Sequence, residues 1–342
     1  MKTKVSKTFN ILIRSVIVIL TLVFIYNQIF YRKDYQEIID YFPRVAGTEN
    51  FYFFLLMVIL LIPVNIFLEI WKWKYLIAKL EKVSFWNATK AVLTGYSVSM
   101  FLPNRVGEYF GRIYVLKKAG RIQAILVTIL GSMAQLLTTL LFGLIAFSFF
   151  FPNFFDISEK INLWLYSGLL TFVLFFSALS IFAFLNFSSF SEIIKKISGR
   201  KLARIQKFTV VFSWFSSKNM LLVLVVSIIR YLVFSFQFFL LLHIFLIPIN
   251  YFNGMIVISL VYLLMTIIPT IALTELGVRG SVSLYVFKIY FESFNHFTDQ
   301  MALGVISAST LLWLLNLAFP ALLGTFFVNS LRFFRSNKND SN

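Results

Sequence analysis

The chain has 342 residues, of which 59% are hydrophobic, 19% aromatic and 13% charged, with a formal net charge of +17 and no cysteine. Disulfides and thiolate metal sites are thereby excluded, and so is an ordinary soluble domain, which carries about 25% charged residues. A mean hydropathy of +0.85 and repeated apolar runs of about 18 residues or more set the chain in the membrane class, where surplus Lys and Arg read as loops facing anionic headgroups and not as a nucleic-acid surface.

Lys2, Lys4 and Lys7 precede an apolar run at 11–30. The run exceeds the roughly 7–15 residues of a signal-peptide core and no A-x-A site follows, so it reads as a retained first span with its N-terminus inside. A mixed-charge loop then leads to a second span at 51–70. Lys72, Lys74, Lys79, Lys82 and Lys90 follow it against the single acid Glu81, the signature of an inside loop. Lys72 and Lys74 alternate with Trp71 and Trp73 and read as interfacial anchors.

Residues 91–102 form an apolar piece of about a dozen residues, little more than half of a ~30 Å hydrocarbon core at 1.5 Å per residue. It meets a polar break at 103–112, after which Lys117, Lys118 and Arg121 are again basic. Basic flanks on both sides suggest a re-entrant hairpin entered from inside, with its tip near Pro103 and Glu108. Spans at 122–150 and 163–187 follow, joined by a short loop with Asp156, Glu159 and Lys160. The basic stretch 188–219 divides the chain. Its charges are punctuated by Ile193, Ile194, Ile197, Leu202, Ile205 and Phe208, as in an amphipathic interfacial helix. A span at 220–246 leads to a second short apolar piece, 255–268, and a second break from Pro269 to Arg279. The chain runs on to Glu292 and Asp299, an outer loop, so this hairpin enters from outside. A last span at 301–329 ends in Arg332, Arg335 and Lys338, inside.

The expected fold is therefore an all-α, multi-pass membrane protein of one domain, with six full spans and two re-entrant hairpins in an inverted repeat. One half covers 1–187, the basic connector 188–219, the other half 220–329, and a short tail 330–342. The breaks share a grammar: Pro103, Glu108 and Arg112 against Pro269, Glu275 and Arg279, each Glu–Arg pair four apart and so on one helical face.

Charges beside half-length apolar segments are costly in hydrocarbon and mark function. Arg105, Glu108, Arg112, Glu275 and Arg279, with Asn104 and Thr274, are the candidate substrate-binding residues. Arginine suits a phosphate because its fork bonds two oxygens at once. Pro103, Gly107, Pro269 and Gly277 are the expected tip-forming residues. Gln135 and Gln237 are candidates to line a path, and Glu69 and Arg230 fit either the path or the membrane edge. His243 and His296 are isolated, and no metal-ligand spacing, Walker loop or Ser-His-Asp order is present, so no cofactor and no metal are expected.

The segments "FLPNRVGEYFGRIYVLKKAG", "WKWKYLIAKL" and "IPTIALTELGVRGSVSLYVF" resemble the lysylphosphatidylglycerol synthase transmembrane (flippase-like) family, the membrane region of the multiple peptide resistance factor. The resemblance covers nearly the whole chain. It implies that Pro103, Arg105, Gly107, Glu108 and Arg112 match the family's first motif and Pro269, Glu275 and Gly277 its second. The family's second motif is glycine-rich after the Pro, and here Ile271-Ala272-Leu273-Thr274 replaces the glycines. Multidomain relatives carry a soluble aminoacyltransferase domain after the membrane region. None is expected here, so the chain is not expected to be an enzyme. The expected function is movement of an anionic or phosphate-bearing lipid across the bacterial inner membrane, both termini cytoplasmic, with membrane lipids as partners and homo-oligomerisation left open. A membrane-embedded transferase or a regulatory subunit of a lipid enzyme is the alternative.

Overall fold

Five apolar runs fold as helices long enough to cross a membrane among the described residues. The computed structural model describes residues 45–328 except 101, 103, 104, 114, 154–159, 190–209, 271 and 293–296, together with Ile19, Val23 and Pro43. Nearly all of the expected first span, most of the basic connector, the C-terminal tail and His296 lie outside the described residues, as do Pro103 and Asn104.

The long helices are α1 (Phe51–Ile77), α4 (Arg121–Phe150), α5 (Lys160–Leu185) and α6 (Ser217–Ile244), with the last span built from α9 (Asp299–Trp313), a π-turn (Leu314–Ala318) and α10 (Phe319–Thr325). Between them stand two pairs containing shorter helices. The first is α2 (Phe85–Ser99) with α3 (Gly107–Ile113). The second is α7 (Tyr251–Ile267) with α8 (Ala272–Glu292). Several helices start earlier than their apolar runs because a polar residue caps the first turn. Ser84, Ser216, Asn250 and Thr298 accept hydrogen bonds from the backbone N–H of Asn87, Asn219, Asn253 and Met301. Helix α1 continues through the tryptophan–lysine segment to Ile77, seven residues past its expected end at 70, with Lys72 and Trp73 buried. Trp73 Nε1–H donates to Thr128 Oγ1 at 3.1 Å and ties α1 to α4.

Helix α6 is the hub and packs on α1, α4, α5, α7 and α9. The α2–α3 pair lies against α1, α4 and α10, and the α7–α8 pair against α4, α6 and α9. Two apolar cores result. One joins Trp73, Leu76, Val127, Leu130, Met220 and Val223 to α2, α3 and α10. The other joins Phe51, Val58, Ala146, Phe150, Phe238 and Leu241 to α7, α8 and α9. Since α1, α4 and α6 contribute opposite ends to the two cores, their middles are left between them. Gln135 and Arg230 sit at the midpoints of α4 and α6, so a polar layer is sandwiched between two apolar ones.

The α2–α3 contact depends on absent side chains. A Cβ on Gly107 would lie 2.3 Å from the Val98 carbonyl oxygen, and one on Gly111 would lie 2.6 Å from Gly95 Cα. Both neighbours are backbone, so neither can swing aside. Gly111→Val is expected to separate α2 from α3 at a cost of about 1–3 kcal/mol, read as a lower thermal unfolding temperature in detergent.

Candidate functional site

The breaks place charge between the two cores. Arg105 follows α2 with φ at +58°, a left-handed backbone that costs a non-glycine residue roughly 1–2 kcal/mol. That conformation aims its guanidinium across the molecule, where Nη2 donates to Glu275 Oε1 at 2.7 Å. Glu275 stands in the first turn of α8 and is buried, and it also accepts from Arg279 Nη2 at 2.9 Å, one turn on. The first break and the second thus meet through one carboxylate held by two arginines.

A second cluster adjoins it. Arg112 on α3 is 2% exposed and bonds two carboxylates: Glu108, four residues before it, and Glu69 on α1 at 2.7 Å. Its stem passes close over Gly95, where a Cβ would meet Arg112 Cγ at 3.0 Å. Glu69 is itself surrounded by three cations, with Lys72 at 2.9 Å and Arg230 at 3.3 Å besides Arg112. Arg230 also donates to Gln135 Oε1 at 3.1 Å and to the Tyr96 hydroxyl at 3.2 Å.

All of these charged groups except Arg112 line two chambers. The larger, about 500 Å³, is lined by Arg105, Arg230, Glu275 and Arg279 with Asn65, Gln135 and Asn316. The smaller, about 210 Å³, is lined by Glu69, Lys72, Glu108, Arg105 and Arg230. Arg105, Tyr109, Ser132, Gln135, Leu136, Thr139 and Arg230 belong to both walls, so the chambers adjoin. Carboxylates and guanidiniums inside low-dielectric surroundings interact strongly but lose hydration. The space beside them offers an anion several donors at once.

The expected residues are therefore largely brought together. Arg105, Glu108, Arg112, Glu275 and Arg279 form the two linked clusters. Glu69 and Arg230 are in the polar layer between the two cores, Arg230 central in α6 and Glu69 5% exposed within α1. Gln135 lines both chambers. Gln237 stands beside them: its Nε2 donates to the Val58 carbonyl and its Oε1 accepts from Asn316. Thr274 is exposed and off both chamber walls, Pro269 is exposed between α7 and α8, and Gly277 is half-buried in α8.

Lys72 corrects the sequence reading. It is 2% exposed and paired with Glu69, not an interfacial anchor, because its position three residues after Glu69 points it inward on the same face. Asn65, Asn316 and Tyr96 were missed. Asn65 Nδ2 donates to Asn316 Oδ1 at 2.6 Å, and Asn316 Nδ2 donates to Gln237 Oε1 at 2.8 Å, an amide chain joining α1, the π-turn and α6. Each asparagine is an isolated amide inside a long apolar run, and polarity at that depth is the signal that would have found it.

The model of one family, described as Lysylphosphatidylglycerol synthase TM region, matches residues 11–295. No curated protein and no solved structure matches the chain.

Proposed function

Because the chain belongs to the lysylphosphatidylglycerol synthase TM region family, we propose that it is a lipid transporter, moving a phosphate-bearing lipid between the leaflets of a bacterial inner membrane. The observation that carries this reading is the 2.7 Å contact of Arg105 with Glu275. It joins the two helix breaks across a buried polar chamber, between apolar cores, at the depth where a headgroup would have to be carried. Glu275 Oε1 takes the Arg105 Nη2–H that a phosphate oxygen would accept. A phosphate competing for Arg105 would loosen the contact between the breaks, which gives alternating access a physical trigger.

In this reading α2–α3 and α7–α8 are re-entrant hairpins of opposite insertion, related as an inverted repeat. Helices α2 and α7 have 15 and 17 residues, about 22 and 25 Å, short of a ~30 Å core, while α8, the return arm of the second pair, has 21 residues, about 31 Å. Exposed Lys79, Lys82, Lys117, Lys118 and Lys218 gather at one end of the bundle, while Glu49, Glu292 and Asp299 lie toward the other. That asymmetry supports a cytoplasmic basic end.

The test is reconstitution into vesicles containing a fluorescent phospholipid, with quencher access to follow its change of leaflet. Wild-type protein is expected to speed the change over empty vesicles. Arg279→Gln, which keeps a hydrogen-bonding side chain but removes the charge, is expected to slow it at least tenfold, about 1.4 kcal/mol or more. Undiminished transport by the variant would remove the second break from the mechanism. Recovery of chemically altered lipid would point to a transferase instead.

A further inference from the structure

Among the described residues, the charges of the two linked ion-pair clusters do not balance. Lys72, Arg105, Arg112, Arg230 and Arg279 are five cations, and Glu69, Glu108 and Glu275 are three carboxylates. The surplus of two positive charges is divided evenly. Glu275 faces two arginines, and Glu69 with Glu108 faces Lys72, Arg112 and Arg230. Arg230 and Arg279, both on the wall of the larger chamber, also have buried Nε–H groups with no acceptor among the described residues. Buried cations without counter-charge and buried donors without acceptors are unfavourable, and a ligand supplying both lacks relieves both.

Resting on the transport reading above, we infer that the headgroup carried is a phosphomonoester bearing two negative charges, in preference to a singly charged phosphodiester. A phosphomonoester above its second pKa of about 6 brings the site to neutrality and offers three terminal oxygens to the arginine forks. A phosphodiester carries one charge at every working pH and leaves one cation uncompensated. The same headgroup chemistry occurs on diacylglycerol and on polyprenyl tails, and the apolar helix surfaces do not choose between them.

The experiment compares fluorescent phosphatidic acid, polyprenyl phosphate and phosphatidylglycerol in vesicles with the full-length protein, between pH 5 and pH 8. At pH 8 at least one phosphomonoester lipid is expected to move tenfold or more faster than phosphatidylglycerol. Its rate should fall toward that of phosphatidylglycerol as pH drops through about 6, while phosphatidylglycerol stays flat. Protonation of Glu69, Glu108 or Glu275 would raise the positive surplus and push the other way, so the fall reads the ligand's charge. Lys72→Met removes one surplus cation while Glu69 keeps two arginines, and should cut the preference severalfold. Equal rates for mono- and diester lipids, or a flat monoester profile, would overturn the charge inference and leave lipid transport standing. Movement of none of the three lipids, or uptake of radiolabelled inorganic phosphate without lipid movement, would overturn the transport reading itself.

Discussion

Glu69→Ala is expected to cost about 3–5 kcal/mol of stability, a large part of the roughly 5–15 kcal/mol that holds a typical protein folded. Glu69 is 5% exposed and is the shared counter-charge of Lys72, Arg112 and Arg230. Among the described residues, alanine leaves Lys72 with no paired carboxylate, Arg112 paired with Glu108, and Arg230 hydrogen-bonded to the neutral Gln135 and Tyr96. The penalty is the stranding of buried cations, which exceeds the net worth of the pairs removed. Yield and unfolding temperature in detergent should fall sharply. Adding Lys72→Met to Glu69→Ala removes one stranded cation, so the double variant should be more stable than the single. A double variant less stable than Glu69→Ala alone would show that Lys72 stabilises by packing and not by charge.

Arg105→Gly should separate function from folding. The Arg105 side chain is 40% exposed, and the buried Glu275 keeps Arg279 as its counter-charge, so losing this pair is expected to cost about 0–1 kcal/mol. Glycine also relieves the left-handed backbone at +58°. Stability is therefore expected to stay within about 1 kcal/mol of wild type, while lipid movement falls at least tenfold because the only link from the first break to Glu275 among the described ion pairs is gone. Arg105→Lys keeps the charge but loses the planar fork, and should recover part of the rate. Full activity in a folded Arg105→Gly protein would make the contact ornamental.

How far the sequence could be read follows from what each signal measures. Apolar runs report lipid-facing and core surface together, so the helices emerged near their true places. Their starts were set late because capping residues such as Ser216 and Asn250 are polar and fall outside a hydropathy window. The Glu–Arg spacing located Glu108–Arg112 and Glu275–Arg279 as local pairs. It could not give Arg105–Glu275 or Arg112–Glu69, which are 170 and 43 residues apart and exist only through packing. Lys72 was misread because alternation with Trp71 and Trp73 has the look of an interfacial belt. Its helical spacing from Glu69 carried the opposite message. Asn65 and Asn316 were visible as lone polar residues, but only the fold shows that they meet.

The meeting of the two breaks at a buried anion chamber underlies all of these expectations. The chain has no cysteine, so a double variant, Arg105→Cys with Glu275→Cys, contains only two thiols. Treated in membranes with a short bifunctional thiol reagent, it should form an internal cross-link in high yield, scored by joining the fragments after proteolysis between the two positions. Absence of that cross-link, with both thiols reactive to a single-headed reagent, would contradict the account.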